Sequence, residues 1–317
     1  MKILFPIIHN NLTRSFCQVF RELGYEIIIP CYAATQKPPT GEMWIWNGDN
    51  SQKDLDNLYG KNVIAATSEQ HVVDLSPDIL FITTYENQFE ILNNIAPRLP
   101  NSKVVAYSGN DYWDGALDFN RIKNYLPADM TGKVLAKKYN VNHIDYIPWV
   151  FYDEVFFSGA NDSNNIGTYI GEYESLFPQD YAIYNRIRSE IQNSNFILHS
   201  KSKYSDCIKS MHSSFATLHV KRLEGHGFAI IESMACGRPV FMFKKYMANK
   251  ALNKWSIEGV TSYSFNGITD LNEKISRLIN DKSYRNSVQK NCASKIREII
   301  DNDEQTNKLK IFLNELI

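Results

Sequence analysis

Glu232 is a carboxylate in a stretch that has no obvious place for one. From Phe228 to Cys236 the chain reads FAIIESMAC. That run is apolar around nearly the whole circumference of a helix, so it predicts a buried helix with Glu232 and Ser233 as its only polar members. A buried carboxylate is costly unless it is paired or hydrogen-bonded. No Lys or Arg stands three or four residues before or after it, where a helix would bring the two together. Two partners remain open: a distant Lys or Arg, or the hydroxyl groups of a ligand near the open end of the helix. Just before the helix lies Glu224-Gly225-His226-Gly227. His226 reads either as a solvated loop histidine or as a ligand contact.

These residues sit inside a recognisable frame. Phe215–Val220 reads as a buried strand, Lys221–Gly227 as a turn and Phe228–Cys236 as the helix. Gly237 stops that helix from the C′ position with Pro239 just beyond, and Pro239–Phe243 is a second strand. In such a β-α-β unit, ligands bind at the carboxyl ends of the strands. Helix N-termini there offer free N–H groups to anions.

The whole chain has 317 residues, 44% apolar and 22% charged. That is ordinary for a globular protein of about two domains, and it excludes a disordered tail or a fibrous repeat. Net charge is −1, which requires no polyanionic partner. Cys17, Cys31, Cys207, Cys236 and Cys292 are scattered without metal or redox spacing, as expected in a reducing cytoplasm. The opening MKILFPII has one lysine and too short an apolar run for a signal peptide, and is expected as a first buried strand. No run reaches the ~18 apolar residues that span a bilayer. A cytoplasmic protein, at most peripheral on a membrane, is expected.

Short apolar runs alternate with helical segments. Lys2–Ile8, Glu26–Pro30, Asp78–Thr83, Lys103–Tyr107 and His143–Ile147 read as strands, and Leu12–Leu23 and Phe89–Leu99 as helices. Residues 31–60, with two prolines and two tryptophans, read as a long loop on the ligand side. The polar stretch 158–165 reads as a linker, after which the alternation restarts. Strands apolar throughout suit parallel sheets covered on both faces. The expectation is an α/β chain of two doubly wound, Rossmann-like domains facing across a cleft. Residues 1–152 form the first, 153–165 the linker and 166–300 the second, with 301–317 a terminal helix.

The segment EGHGFAIIESMACGRPV resembles the donor-site motif of family 4 glycosyltransferases, which have the GT-B fold. Glu224 and Glu232 stand as its E-x7-E pair, and Gly225, Gly227, Ala235, Gly237, Pro239 and Val240 fall where that family has them. Weaker likeness covers most of the chain in outline, including SPDILFITTYENQFEIL, KVVAYSGNDYWDG and IDYIPWVFYDEVF.

The resemblance implies a transferase that moves a hexose or related sugar from a UDP- or GDP-sugar to an acceptor hydroxyl. It also implies retention without metal or cofactor, with the nucleotide sugar bound by the C-domain and the acceptor mainly by the N-domain. Glu224 would face the donor sugar as a catalytic residue, and Glu232 would accept from the ribose. Gly227 and Phe228 would offer N–H groups to the diphosphate, with Gly225 and His226 beside them. Many relatives carry a histidine where this chain has Asn110 and Asp111, which are kept as sugar or acceptor contacts. The basic pair that relatives place early in the C-domain is replaced by Glu172 and Glu174. Lys201, Lys203, Lys221 and Arg222 are the substitutes expected to offset the diphosphate. The terminal segment KLKIFLNELI is expected to pack back toward the N-domain.

Rival chemistries are poorly represented: the sequence has no Walker-type G-x4-G-K-S/T, no G-x-S-x-G and no H-E-x-x-H. Asp301-Asn-Asp303 resembles a metal-binding D-x-D but lies in a polar stretch and reads as solvated. The acceptor is expected to be a glycan or lipid-linked glycan, with a hydroxymethylated DNA base as the rarer choice. Seven basic residues between Arg98 and Lys138, interleaved with tyrosines, could track phosphates or meet anionic lipid headgroups. Residues 1–150 nevertheless carry 13 basic and 16 acidic side chains, which weighs against nucleic acid. The alternatives are a catalytically degenerate nucleotide-sugar-binding module and a GT-B nucleotide-sugar epimerase.

Overall fold

The computed structural model describes residues 1–7, 10–31, 52–83, 88–108, 117–127, 130–169, 173–200, 202–222, 226–247 and 251–317. The chain divides into two compact units: Met1–Trp149 with Asn302–Ile317, and Val150–Asp301.

In the first unit the described strands are β1 (Lys2–Leu4), β2 (Glu26–Pro30), β3 (Val63–Ala66), β4 (Ile79–Ile82), β5 (Lys103–Tyr107), β6 (Asn124–Leu126) and β7 (Asn142–His143). They form one parallel sheet in the order β3-β2-β1-β4-β5-β6-β7. β1 lies inside the sheet, third in the order, with Ile3 opposite Ile27 on one side and Ile79 on the other. Successive side chains point to opposite faces. Leu4, Ile28, Leu80, Ile82 and Ala106 therefore share one core. Phe81 and Tyr107 meet Phe16 of the helix Asn10–Glu22 on the other face, with Phe16 and Phe81 ring centroids 4.6 Å apart.

Three expectations change here: of His143–Ile147, read as a strand, only His143 lies in one, the short β7. Residues 52–59, read as loop, form a helix whose Leu55 and Tyr59, one turn apart, are both buried. Phe89–Leu99 is not one α-helix. It starts as Gln88–Glu90, widens to a π-turn over Ile91–Ile95 and tightens over Ala96–Arg98. Pro97, which has no N–H to donate, lies in that last turn.

The helix Asn302–Asn314 belongs to the first unit. Leu309, Phe312 and Leu313 are its buried face. Gln305 Oε1 accepts from the Ile147 N–H at 3.0 Å, and Tyr25 donates to Asn314 Oδ1 at 3.3 Å. Asp303 and Glu304 occupy its first turn, where the helix dipole favours them.

The second unit carries β8 (Asn165–Tyr169), β9 (Asn195–His199), β10 (Ala216–His219), β11 (Val240–Phe243) and β12 (Ser262–Phe265), all parallel, in the order β12-β11-β10-β8-β9. Ile166, Leu218, Phe241, Tyr263 and Phe265 share a core with Tyr184, Ile187, Leu271, Ile275 and Leu278. The chain runs outward from β8 to β9, then returns to place β10 on the other side of β8. That reversal makes the carboxyl ends of β8 and β10 the switch point where open α/β sheets bind ligands.

The polar stretch read as a linker is fastened into the second unit. The Asn161 N–H donates to Gln289 Oε1 at 2.9 Å, and Asn161 Nδ2 donates to the His212 carbonyl at 3.0 Å. Arg285, only 2% exposed, donates from Nη2 to Asp162 Oδ1 at 2.8 Å. These hydrogen bonds, one of them to a buried guanidinium, hold this stretch without any apolar burial.

Arg285, followed by Lys282, holds the Asp162 carboxyl below its ordinary range. A carboxyl acidified by folding contributes stability above its unfolded pKa of about 4, and that contribution is lost as pH falls toward the folded value. Asp162→Asn is therefore expected to melt below wild type at neutral pH. The gap in Tm should close as the pH falls from about 4 downward, and thermal melts across pH 2–7 check it.

Candidate functional site

The strand–turn–helix around Glu232 is built from the outset to present a helix N-terminus. Gly227 caps the helix Phe228–Ala235 in the left-handed region, with φ +69°, and its carbonyl accepts from the Ile230 and Ile231 N–H groups at 2.9 and 3.0 Å. Among the described residues, no side chain caps this end. A helix N-terminus without a side-chain cap turns its first N–H groups and the positive end of its dipole toward whatever lies beyond. A Cβ on Gly227 would lie 2.7 Å from Ile230 Cδ1. Gly227→Ala is expected to cost about 1–3 kcal/mol of stability through left-handed strain and this contact, measured by urea unfolding.

Behind this end the helix is fixed to the sheet. The Thr217 hydroxyl of β10 donates to Ser233 Oγ at 2.9 Å, and Ser233 donates to the Ala229 carbonyl at 2.6 Å. Ser233 is thus structural. Gly237 follows the helix with φ +75°, in the C′ role its sequence position predicts. The next residue, Arg238, is 1% exposed and donates to the Met211 carbonyl at 3.0 Å and the His212 carbonyl at 3.1 Å. It ties the end of this helix to the end of the helix Tyr204–Ser213.

Glu232 is 8% exposed. Tyr204, the first residue of the helix after β9, donates its hydroxyl to Glu232 Oε1 at 3.0 Å. One turn along that helix, the Cys207 thiol is pushed up to about 11, first by burial and then by the nearby charge of Glu232. Lys203 is exposed and caps the same helix, so it stands next in sequence to the tyrosine that touches Glu232.

His226 corrects one of its two sequence readings. It is 2% exposed, and its ring lies over Trp255 with centroids 5.9 Å apart and planes 24° off parallel. It is packed rather than solvated. Trp255, itself fully buried, comes from a segment 29 residues further on, which no local pattern in the turn could have indicated.

Of the four expected cations, Lys221 and Arg222 lie in the turn after β10. Asp180, fully buried, accepts from the Arg222 N–H at 3.1 Å and from its Nε at 3.0 Å. This clasp fixes the turn and engages part of the guanidinium. Lys221 places Nζ 5.0 Å from the centre of the Phe177 ring. Glu224, Gly225, Lys201, Asn110, Asp111 and Glu172 lie outside the described residues, and Glu174 is exposed. Among the described residues, no three His, Cys, Asp or Glu cluster as metal ligands would. No helix among them is long and apolar enough to cross a membrane.

Residues 178–309, nearly all in the second unit, match the family model described as glycosyl transferases group 1. No curated protein matches the chain in sequence. Among solved structures, HepE of Anabaena in complex with UDP and glucose aligns with a TM-score of 0.72 at 12% identity, covering 99% of this chain and 100% of that one. The fold is GT-B. Other GT-B structures extend the likeness. TarM of S. aureus aligns with a TM-score of 0.61 at 12% identity over 78% of this chain, which spans only 57% of TarM's length. An α-glucosyltransferase in complex with UDP and a 13-mer DNA containing an HMU base aligns at 0.58 and 13% identity, over 99% of each chain. The helix that begins at Phe228 and its Glu232 lie within the residues that match this model.

Proposed function

We propose that this chain transfers a hexose or related sugar from a nucleoside-diphosphate donor, UDP- or GDP-linked, to an acceptor hydroxyl. The observation that carries this reading is a helix N-terminus that no described side chain caps, following β10 at the switch point of β8 and β10, with buried Glu232 just over a turn inside it. The first-turn N–H groups of Gly227 and Phe228 receive the diphosphate, as helix N-termini do. Glu232 accepts from the ribose hydroxyls. Glu224 and Gly225 meet the sugar, and His226, already packed on Trp255, lies beside them before the helix. Lys201, Lys203 and Lys221 offset the phosphate charge, with Arg222 adding what its clasp on Asp180 leaves.

Transfer proceeds with retention. The bond from the anomeric carbon to the β-phosphate oxygen breaks as the bond to the acceptor oxygen forms on the same face. The acceptor's proton passes to the departing phosphate. Placement and stabilisation of the diphosphate then supply the rate, with no metal and no further cofactor.

The first unit binds the acceptor, with Asn110 and Asp111 contributing contacts. A glycan or lipid-linked glycan fits that role. A modified DNA base is the second candidate, in view of the α-glucosyltransferase neighbour solved with DNA. Clasping of Arg222 by Asp180 and the missing early basic pair favour one rival reading, a module that binds the nucleotide sugar without turning it over. The deciding experiment pairs a thermal-shift screen of UDP, GDP, ADP and CMP and their sugars with release of the free nucleotide from the donor that binds. Binding with release supports the transferase, binding without release over any acceptor supports the module, and no binding at all overturns both.

A further inference from the structure

From the geometry of Tyr204 and Glu232 we infer that Tyr204 is a positioning residue of the donor site, holding Glu232 in the orientation that selects a ribose over a 2′-deoxyribose. This rests on the reading of Glu232 as the ribose acceptor. A glutamate has three side-chain torsions, and a free one must be ordered before its oxygens can meet two vicinal hydroxyls. Here the helix holds the backbone of Glu232, while the hydroxyl of Tyr204, 3.0 Å from Oε1, holds the far end of its side chain. A phenol donates one hydrogen bond, whereas each carboxylate oxygen can accept two, so the tyrosine and a ligand hydroxyl can share the group.

Tyr204 is itself held. Its helix is anchored where the Arg238 guanidinium takes the Met211 and His212 carbonyls, and Arg238 directly follows Gly237 at the end of the Glu232 helix. The two helices therefore share one support, so the Tyr204–Glu232 distance is fixed at both ends. The charge of Glu232 also reaches the neighbouring turn, where it raises the Cys207 thiol.

A merely structural hydrogen bond and a positioning one differ in what their loss does to selectivity. UDP, GDP, ADP and CDP, each beside its 2′-deoxy counterpart, are titrated by calorimetry into wild type, Tyr204→Phe and Glu232→Gln. Tyr204→Phe keeps the ring and is expected to keep the fold. Its affinity for the preferred ribonucleotide should fall about tenfold while the 2′-deoxy affinity barely moves, so that the wild-type preference shrinks by the same factor. An unchanged preference in Tyr204→Phe, or an equal fall for both nucleotides, overturns the positioning role. If Glu232→Gln also keeps the wild-type preference, the ribose reading of Glu232 fails instead. If wild type binds none of the four, the donor-site reading and this inference fall together.

Discussion

Glu232→Gln is expected to lower kcat/KM for the nucleotide-sugar donor by about 100-fold without lowering the melting temperature. The two halves of that result have separate causes. A carboxylate accepting from ribose hydroxyls makes charge-assisted bonds worth about 1.5–3 kcal/mol each. Replacing it by a neutral amide weakens those bonds, and the two together come to about 2.7 kcal/mol, or 100-fold. Stability runs the other way. Glu232 is 8% exposed on a helix whose one other polar side chain is Ser233, and glutamine is nearly its isostere, so the substitution removes the desolvation cost of a buried charge and leaves no cavity. The amide oxygen can still accept from Tyr204. Because donor binding is the step affected, the loss should appear mainly in KM for the donor. Steady-state kinetics and a melt on the same preparation test both halves. A variant that keeps its kinetics would remove Glu232 from the donor site, and one that unfolds would make it a structural residue.

Gly237→Ala is expected to destabilise the second unit by about 2–5 kcal/mol. The residue has φ +75°, which costs an L-residue about 1–2 kcal/mol. The added Cβ would fall 2.5 Å from Phe157 Cδ2 and 2.7 Å from the Gln289 carbonyl oxygen. Phe157 could swing aside, but the carbonyl belongs to the helix Lys282–Ile299 and cannot move without it. Overpacking of that kind adds about 1–3 kcal/mol. For a unit of this size the sum corresponds to a fall in Tm of about 10 °C. Gly24→Ala is the contrast: its φ is +70°, yet nothing lies within 4 Å of the new Cβ, so backbone strain alone should act. Chemical denaturation of both variants checks the difference, and equal losses would refute the steric account.

The parts of this molecule that were legible in the sequence are those where one local pattern carries one meaning. ILFI is apolar throughout, and EIIIP and KVVAY are apolar after an exposed charged first residue, as strands covered on both faces are; all three belong to the first sheet. Gly227 and Gly237 bracket the buried helix because only glycine enters the left-handed region cheaply.

What stayed hidden was either short or polar. NYL and SYSF are too brief and too hydroxylated to stand out. The helix Lys282–Ile299 buries Arg285 and Gln289, polar residues that blur its apolar face. In the candidate site, the buried state of Glu232 was readable from its neighbours, but its partner was not. Tyr204 lies 28 residues away, and Asp180 lies 42 from the Arg222 it clasps. Pairings of that separation are set by the order of strands in the sheet, which leaves no mark on local spacing.

The account turns on where a nucleoside diphosphate binds, and a crystal structure of the chain soaked with UDP or GDP measures that directly. It should show the diphosphate within hydrogen-bond distance of the Gly227 or Phe228 N–H at the helix N-terminus, and the ribose hydroxyls on Glu232 with Tyr204 still donating to Oε1. A nucleotide seated elsewhere, touching neither that helix end nor Glu232, would contradict the donor site at its foundation.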